Sequence, residues 1–197
     1  MAITIPKEEY IENIKLHIDD PVAVDEFSWN LVKRLHKYGV NKNTPVVLLC
    51  IGTDRSTGDC LGPLIGSKLA VENNRFFKIY GTLEQPVHAS NLDEKIKEIH
   101  TKYPNAFIIA VDACLGKLEN VGHVTIGDGS LQPGAGVNKN LPPIGHIHVT
   151  GIVNVSGFME YLVLQNTRLN MVMKMANMIA EGFNASALKF QQETYVQ

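Results

Sequence analysis

The chain has 197 residues, 45% hydrophobic and 19% charged, enough to bury the core of one domain and short for two of ordinary size. Its formal net charge of -2, with the basic residues scattered, gives no electrostatic reason to expect nucleic acid or an anionic membrane as a partner. Three cysteines, Cys50, Cys60 and Cys114, match neither a disulfide framework nor a paired zinc motif, which points to a reducing compartment. The opening "MAITIPKEEYIENIKLHIDD" lacks a continuous apolar stretch of signal or membrane length, so a soluble, cytoplasmic protein is expected.

In chain order, "DDPVAVDEFSWNLVKRLHKYG" offers Asp20 as a cap and Pro21 in the first turn. Val24, Phe27, Leu31, Leu35 and Tyr38 then follow at helical spacing before Gly39. "PVVLLCI" (45–51) is apolar on both faces, as a central parallel strand must be. A helix is expected from about Cys60 to Val71, with Pro63 tolerated in its first turn. A second strand lies within 75–83, and a helix follows with Ser90 and Asp93 in capping-box register. A third buried strand covers 106–111. The second half reads as two further strands, "GHVTI" and "HIHVTGIVN", then one long helical region from about Ser156 to Glu181. The glycine-rich stretch from Gly127 to Gly145 is long for a loop in a small domain, which marks it as functional or mobile. Alternating strands and helices predict an α/β fold, three-layer α/β/α around a mostly parallel twisted sheet. One domain is expected over 1–197, with an N-terminal helical segment over about 1–43.

The loop "GTDRSTGDCLGP" interrupts this pattern directly behind the first core strand. If the first three strands take the common order 2-1-3, ligands bind beyond the carboxyl ends of strands one and three, where the direction of winding reverses. Asp54 and Asp59 leave strand one there, and Asp112 leaves strand three beside them. Two close carboxylates repel, so one pKa rises and the pair shares a proton, an arrangement able to act as acid and base around a water. The same pair could instead supply two metal ligands, with His146 or His148, which alternate along one strand face, as a third. Plain structural duties also fit, with Asp59 at a helix N-terminus and Asp112 in a turn. The glycines lack the spacing of a P-loop or dinucleotide fingerprint. Cys60 near a helix start, with His88 or His123, is a further nucleophile option, although a lone cysteine is more often a small core residue.

At "GTDRSTGDCLGP", "VDACLG" and "HVTGIVNVSGFMEY" the chain resembles the YyaC family of sporulation proteins, over about Asp20 to Glu181. That family is similar to the spore germination protease and, more distantly, to the hydrogenase maturation peptidases, which share a phosphorylase/hydrolase-like fold. The resemblance implies a peptidase of small spore proteins whose acidic pair falls at Asp59 and Asp112, without a cofactor. It implies the spore core as its compartment, a peptide or small protein as its partner, and possible homo-oligomers. Asp54, Arg55, Gly58 and His88 are the expected substrate-binding residues, and the 127–145 loop is expected to close over an extended peptide. The maturation peptidases read nickel with a histidine at the entry to the last helices, and "VTGIVNVSGFMEY" has none there. A non-catalytic peptide-binding or structural spore protein, and a nickel-dependent maturation peptidase, are the alternatives.

Overall fold

Five consecutive apolar residues, Val46–Cys50, form a strand with every side chain buried, which requires cover on both faces. The computed structural model describes residues 11–72, 75–133 and 143–195. In chain order its main elements are β1 (Ile14–His17), α1 (Ala23–Lys37), β2 (Val46–Cys50), α2 (Leu61–Val71), β3 (Phe77–Tyr80) and α3 (Leu92–Lys102). There follow β4 (Phe107–Gly116), β5 (His123–Asp128), β6 (Ile147–Val155), α4 (Glu160–Gln165) and α5 (Leu169–Tyr195). The sheet has six strands in the order β1-β5-β6-β4-β2-β3. The four strands β6, β4, β2 and β3 are parallel, β5 is antiparallel to β6, and β1 is antiparallel to β5.

Side-chain alternation along the strands divides the core in two. Val46, Leu48 and Cys50 of β2, with Ile109 and Val111 of β4, face α1, α2 and α5. Val47, Leu49, Ile108 and Ala110 face α3 through Leu92 and Ile99. Helices on both faces of the sheet make the three-layer α/β/α arrangement that the alternation predicted. On the thicker face, Phe27, Leu31 and Leu35 recur at a spacing of four along α1 and are fully buried. Phe27 meets Phe183 of α5 edge to face at 5.1 Å.

Several elements depart from the sequence reading. The segment expected to be helical over about 1–43 contains the short strand β1 before α1. No Ser90 side-chain cap forms at α3: Asn91 is the capping residue, and its Oδ1 accepts from the His88 N–H at 2.8 Å. The single helical region expected from Ser156 to Glu181 is two helices, and the second continues to Tyr195. They part near Thr167, whose hydroxyl donates to the Val163 carbonyl at 2.9 Å and accepts from Asn154 Nδ2 at 3.3 Å. Part of the 127–145 stretch is sheet, since β5 runs to Asp128 and Leu131 bridges Ile144. Positions 134–142, on which the expected closure over a peptide falls, lie outside the described residues. Among the described residues no helix is long and apolar enough to cross a membrane.

Candidate active site

The chain leaves β2 for β3 through α2 on one face and leaves β3 for β4 through α3 on the other. β2 therefore lies between β3 and β4, and a crevice opens where the two crossovers diverge. The strands differ in length in a way that matters. β2 stops at Cys50, opposite Val111, whereas β4 continues to Gly116 on its pairing with β6. Asp112 is thus the first β4 residue beyond the end of β2. It does not leave the strand in a turn, as expected from sequence; it stays in the sheet opposite Thr150.

The loop after β2 is held by its own backbone. The Gly52 N–H donates to the Val87 carbonyl at 2.7 Å, and the Thr53 N–H donates to the Asp59 carbonyl at 3.1 Å. Gly52 has φ +147°, and a Cβ there would lie 2.0 Å from the Asp59 oxygen, so glycine is required for the loop to fold back on itself. The 3-10 turn Gly58–Cys60 follows and leads straight into α2, delivering Asp59 to the crevice.

Asp59 and Asp112 line one cleft of about 280 Å³, together with His88, Cys114, Thr150 and Glu160. Burial raises the Asp59 carboxyl above its ordinary value, and the Ser56 hydroxyl pulls the other way. Asp112 is pushed up to about 8, first by burial and also by the Asp59 charge, against the pull of the Ala113 N–H. That N–H donates to Asp112 Oδ1 at 2.8 Å. The two carboxylates therefore act on each other, and burial together with the Asp59 charge favours the protonated form of Asp112. His88 Nδ1 accepts from the Ser90 N–H at 3.3 Å, which leaves Nε2 to carry the ring proton.

The other expected site residues are distributed differently. Asp54 and Arg55 are exposed on the loop and do not line the cleft. Gly58 is buried, and a Cβ there would sit 2.7 Å from Leu164 Cδ2, so it packs closely against α4 and is not among the residues lining the cleft. His146 lies at the opposite end of the parallel strands, where its Nδ1 accepts from the Ile108 N–H at 3.0 Å and its ring stacks on Phe107. His148 is hydrogen-bonded through Nδ1 to the Gly129 carbonyl at 3.2 Å, outside the cleft. Among the described residues no group of three His, Cys, Asp or Glu side chains is arranged to hold a metal ion. His146 and His148, expected as the third ligand for nickel, therefore do not join Asp59 and Asp112 in the cleft.

The Cys60 thiol, an option for a lowered pKa, is shifted the other way by burial and by the Asp59 and Asp54 charges. It donates to the Thr57 carbonyl at 2.9 Å. His123 packs edge to face on His17 across the β5–β1 pair, away from the cleft. Three lining residues were missed by sequence reasoning. Cys114 is two residues past Asp112 on the same strand face, and burial pushes its thiol up to about 11. Thr150 extends the His146–His148 alternation by one step, a signal that was present in the sequence. Glu160 enters at the first turn of α4, directly after Met159, whose backbone is left-handed at φ 61°.

A family model described as "Protein of unknown function (DUF1256)" matches residues 15–182. The chain is 54% identical over 175 residues to the "Uncharacterized protein YyaC" of Bacillus subtilis (strain 168), covering 88% of this chain and 84% of that one. Among solved structures it is similar to the NiFe hydrogenase maturation protease HycI from Thermococcus kodakarensis KOD1. There the TM-score is 0.49 and the identity 17%, over 74% of this chain and 93% of that one. With the family match spanning most of its length, the chain belongs to the DUF1256 family.

Proposed function

We propose that the protein is an endopeptidase of small spore proteins, working in the forespore or spore core, with Asp59 and Asp112 as its acid–base pair. The observation that carries this reading is that these carboxylates, from two separate strand ends, share one cleft and act on each other's charge. In the reaction, ionised Asp59 takes a proton from water while the water oxygen bonds to the scissile carbonyl carbon. Protonated Asp112 gives its proton to the carbonyl oxygen. The tetrahedral diol then collapses and the C–N bond breaks. The amine leaves with the proton held by Asp59, and Asp112 recovers one from a diol hydroxyl. His88, which lines the same cleft, donates through Nε2 to a substrate carbonyl. Asp54 and Arg55, exposed on the loop that carries Asp59, meet flanking substrate residues. Phe158, Met159, Tyr161 and Leu162 are exposed in and beside α4, next to Glu160, an apolar platform suited to an extended peptide.

The test is incubation of the purified chain with small acid-soluble spore proteins, read by mass spectrometry. Wild type yields defined fragments, and Asp59→Asn or Asp112→Asn lowers kcat by roughly 100-fold or more. The profile of kcat/KM against pH is a bell whose alkaline limb falls near about 8, where Asp112 loses its proton. Wild type and the double variant being equally inert would overturn the peptidase reading in favour of a protein that only holds peptides.

A further inference from the structure

A second cavity, about 580 Å³, opens at the opposite pole, where the parallel strands begin. It is formed by the loop before β2, the start of β3, the end of α3 and the last turns of α5. Its charge is one-sided: Lys42, Arg75 and Lys78 line it, and no Asp or Glu does among the described residues. A chain with more acidic than basic residues has here gathered three cations from two separate loops and a strand. The remaining walls include aromatic rings. Phe76 and Phe190 pack together with centroids 5.4 Å apart, and Tyr103 is half-buried with the Lys102 ammonium 5.5 Å from its ring centre.

We propose that this cavity is a binding site for a nucleoside phosphate. Clustered cations with no carboxylate among them favour an anion, and the planar guanidinium of Arg75 can meet two phosphate oxygens at once. Beside them the half-buried Tyr103 and Phe76 rings, with the buried Phe190 ring behind Phe76, offer an apolar surface of the kind on which a base rests. The volume lies within the range of roughly 300–1,000 Å³ typical of small-molecule sites. A simple inorganic anion would use the cations and leave the rings idle. A nucleic acid strand would need the positive charge to continue along a track, and the surrounding basic residues are scattered. The site is separate from the cleft of Asp59 and Asp112 and does not depend on the chemistry proposed there.

The test is calorimetric titration of the full chain with ADP, with inorganic pyrophosphate and with adenosine. ADP binds at least about ten-fold more tightly than either fragment, because charge and ring contacts act together. Lys42→Glu with Arg75→Glu, both at exposed positions, weakens ADP and pyrophosphate together while the melting curve stays that of a folded protein. Tyr103→Leu, which keeps an apolar side chain in place, weakens ADP and leaves pyrophosphate unchanged. Absence of ADP binding at millimolar concentration overturns the proposal, as does binding that survives the double charge reversal. Equal affinity for ADP and pyrophosphate, with Tyr103→Leu silent, overturns the nucleoside part and leaves a phosphate site only.

Discussion

Below about pH 4 the Asp112 carboxyl is protonated whether the chain is folded or unfolded, so its burial brings no pH-dependent penalty there. As pH rises toward about 8 the unfolded chain gives up that proton while the folded chain keeps it, and folding stability falls across this window. Asp112→Asn removes the titration and retains an oxygen able to accept from the Ala113 N–H. It is therefore expected to be inactive yet more stable than wild type, by up to about 5 kcal/mol at pH 8, with the gap closing toward pH 4. Thermal melts at the two pH values check this. A gap that widens on the acid side instead would mean that Asp112 is ionised in the folded protein. Asp59 is also raised, but Asp112 carries the larger burden because it sits inside the sheet and not on a turn.

At the scale of elements, the loop after β2 depends on one residue without a side chain. Gly52→Ala drives a Cβ into the backbone oxygen of Asp59, and neither the strand end nor the turn can yield without breaking the Thr53 to Asp59 bond. A loss of about 3 kcal/mol is expected, together with loss of cleavage activity, since the turn that carries Asp59 must shift. Denaturant unfolding and the fragment assay measure the two effects. The main strands and helices were legible because their patterns are strong: continuous apolar runs for β2 and β4, and apolar spacing of four along α1. β1 was not, because "IKLH" is four residues at a sheet edge with one buried side chain, too short to show a period. The break between α4 and α5 contains neither proline nor glycine, and only the Asn154 and Thr167 contacts, distant in sequence, reveal it. The pairing of Asp59 with Asp112 followed from strand order. Glu160 and Cys114 needed the actual length of β4 and the seat of α4, which local pattern does not encode.

Across the whole molecule, one buried charge links layers that are distant in sequence. Arg34 of α1 is fully buried, pairs with Asp128 at the end of β5, and donates to the Glu12 carbonyl at 2.8 Å and to Asn30 Oδ1 at 2.9 Å. Burial alone would raise the Asp128 carboxyl, but Lys37 and Arg34 together hold it below its ordinary value. Arg34→Met leaves the carboxylate with Lys37 as its remaining partner and takes the donor from the Glu12 carbonyl, and a loss of about 3 kcal/mol is expected. Lys37→Met removes an exposed partner of the same carboxylate and is expected to cost far less. Equilibrium unfolding of the two variants separates them, and equal losses would show that the buried contact has no special weight.

The register of the edge strand also sets an order of events during synthesis. Ile14 pairs with Ile126 and Leu16 with Val124, so the first strand has no neighbour until more than a hundred further residues have been made. At roughly 5–20 residues per second, that is a wait of about 5–20 seconds on the ribosome. During it, the Arg34 side chain has neither Asp128 nor the Ile126 carbonyl to bind. The β3-β2-β4 centre, complete by Gly116, can assemble first, which leaves the amino-terminal strand to lock the finished sheet from outside.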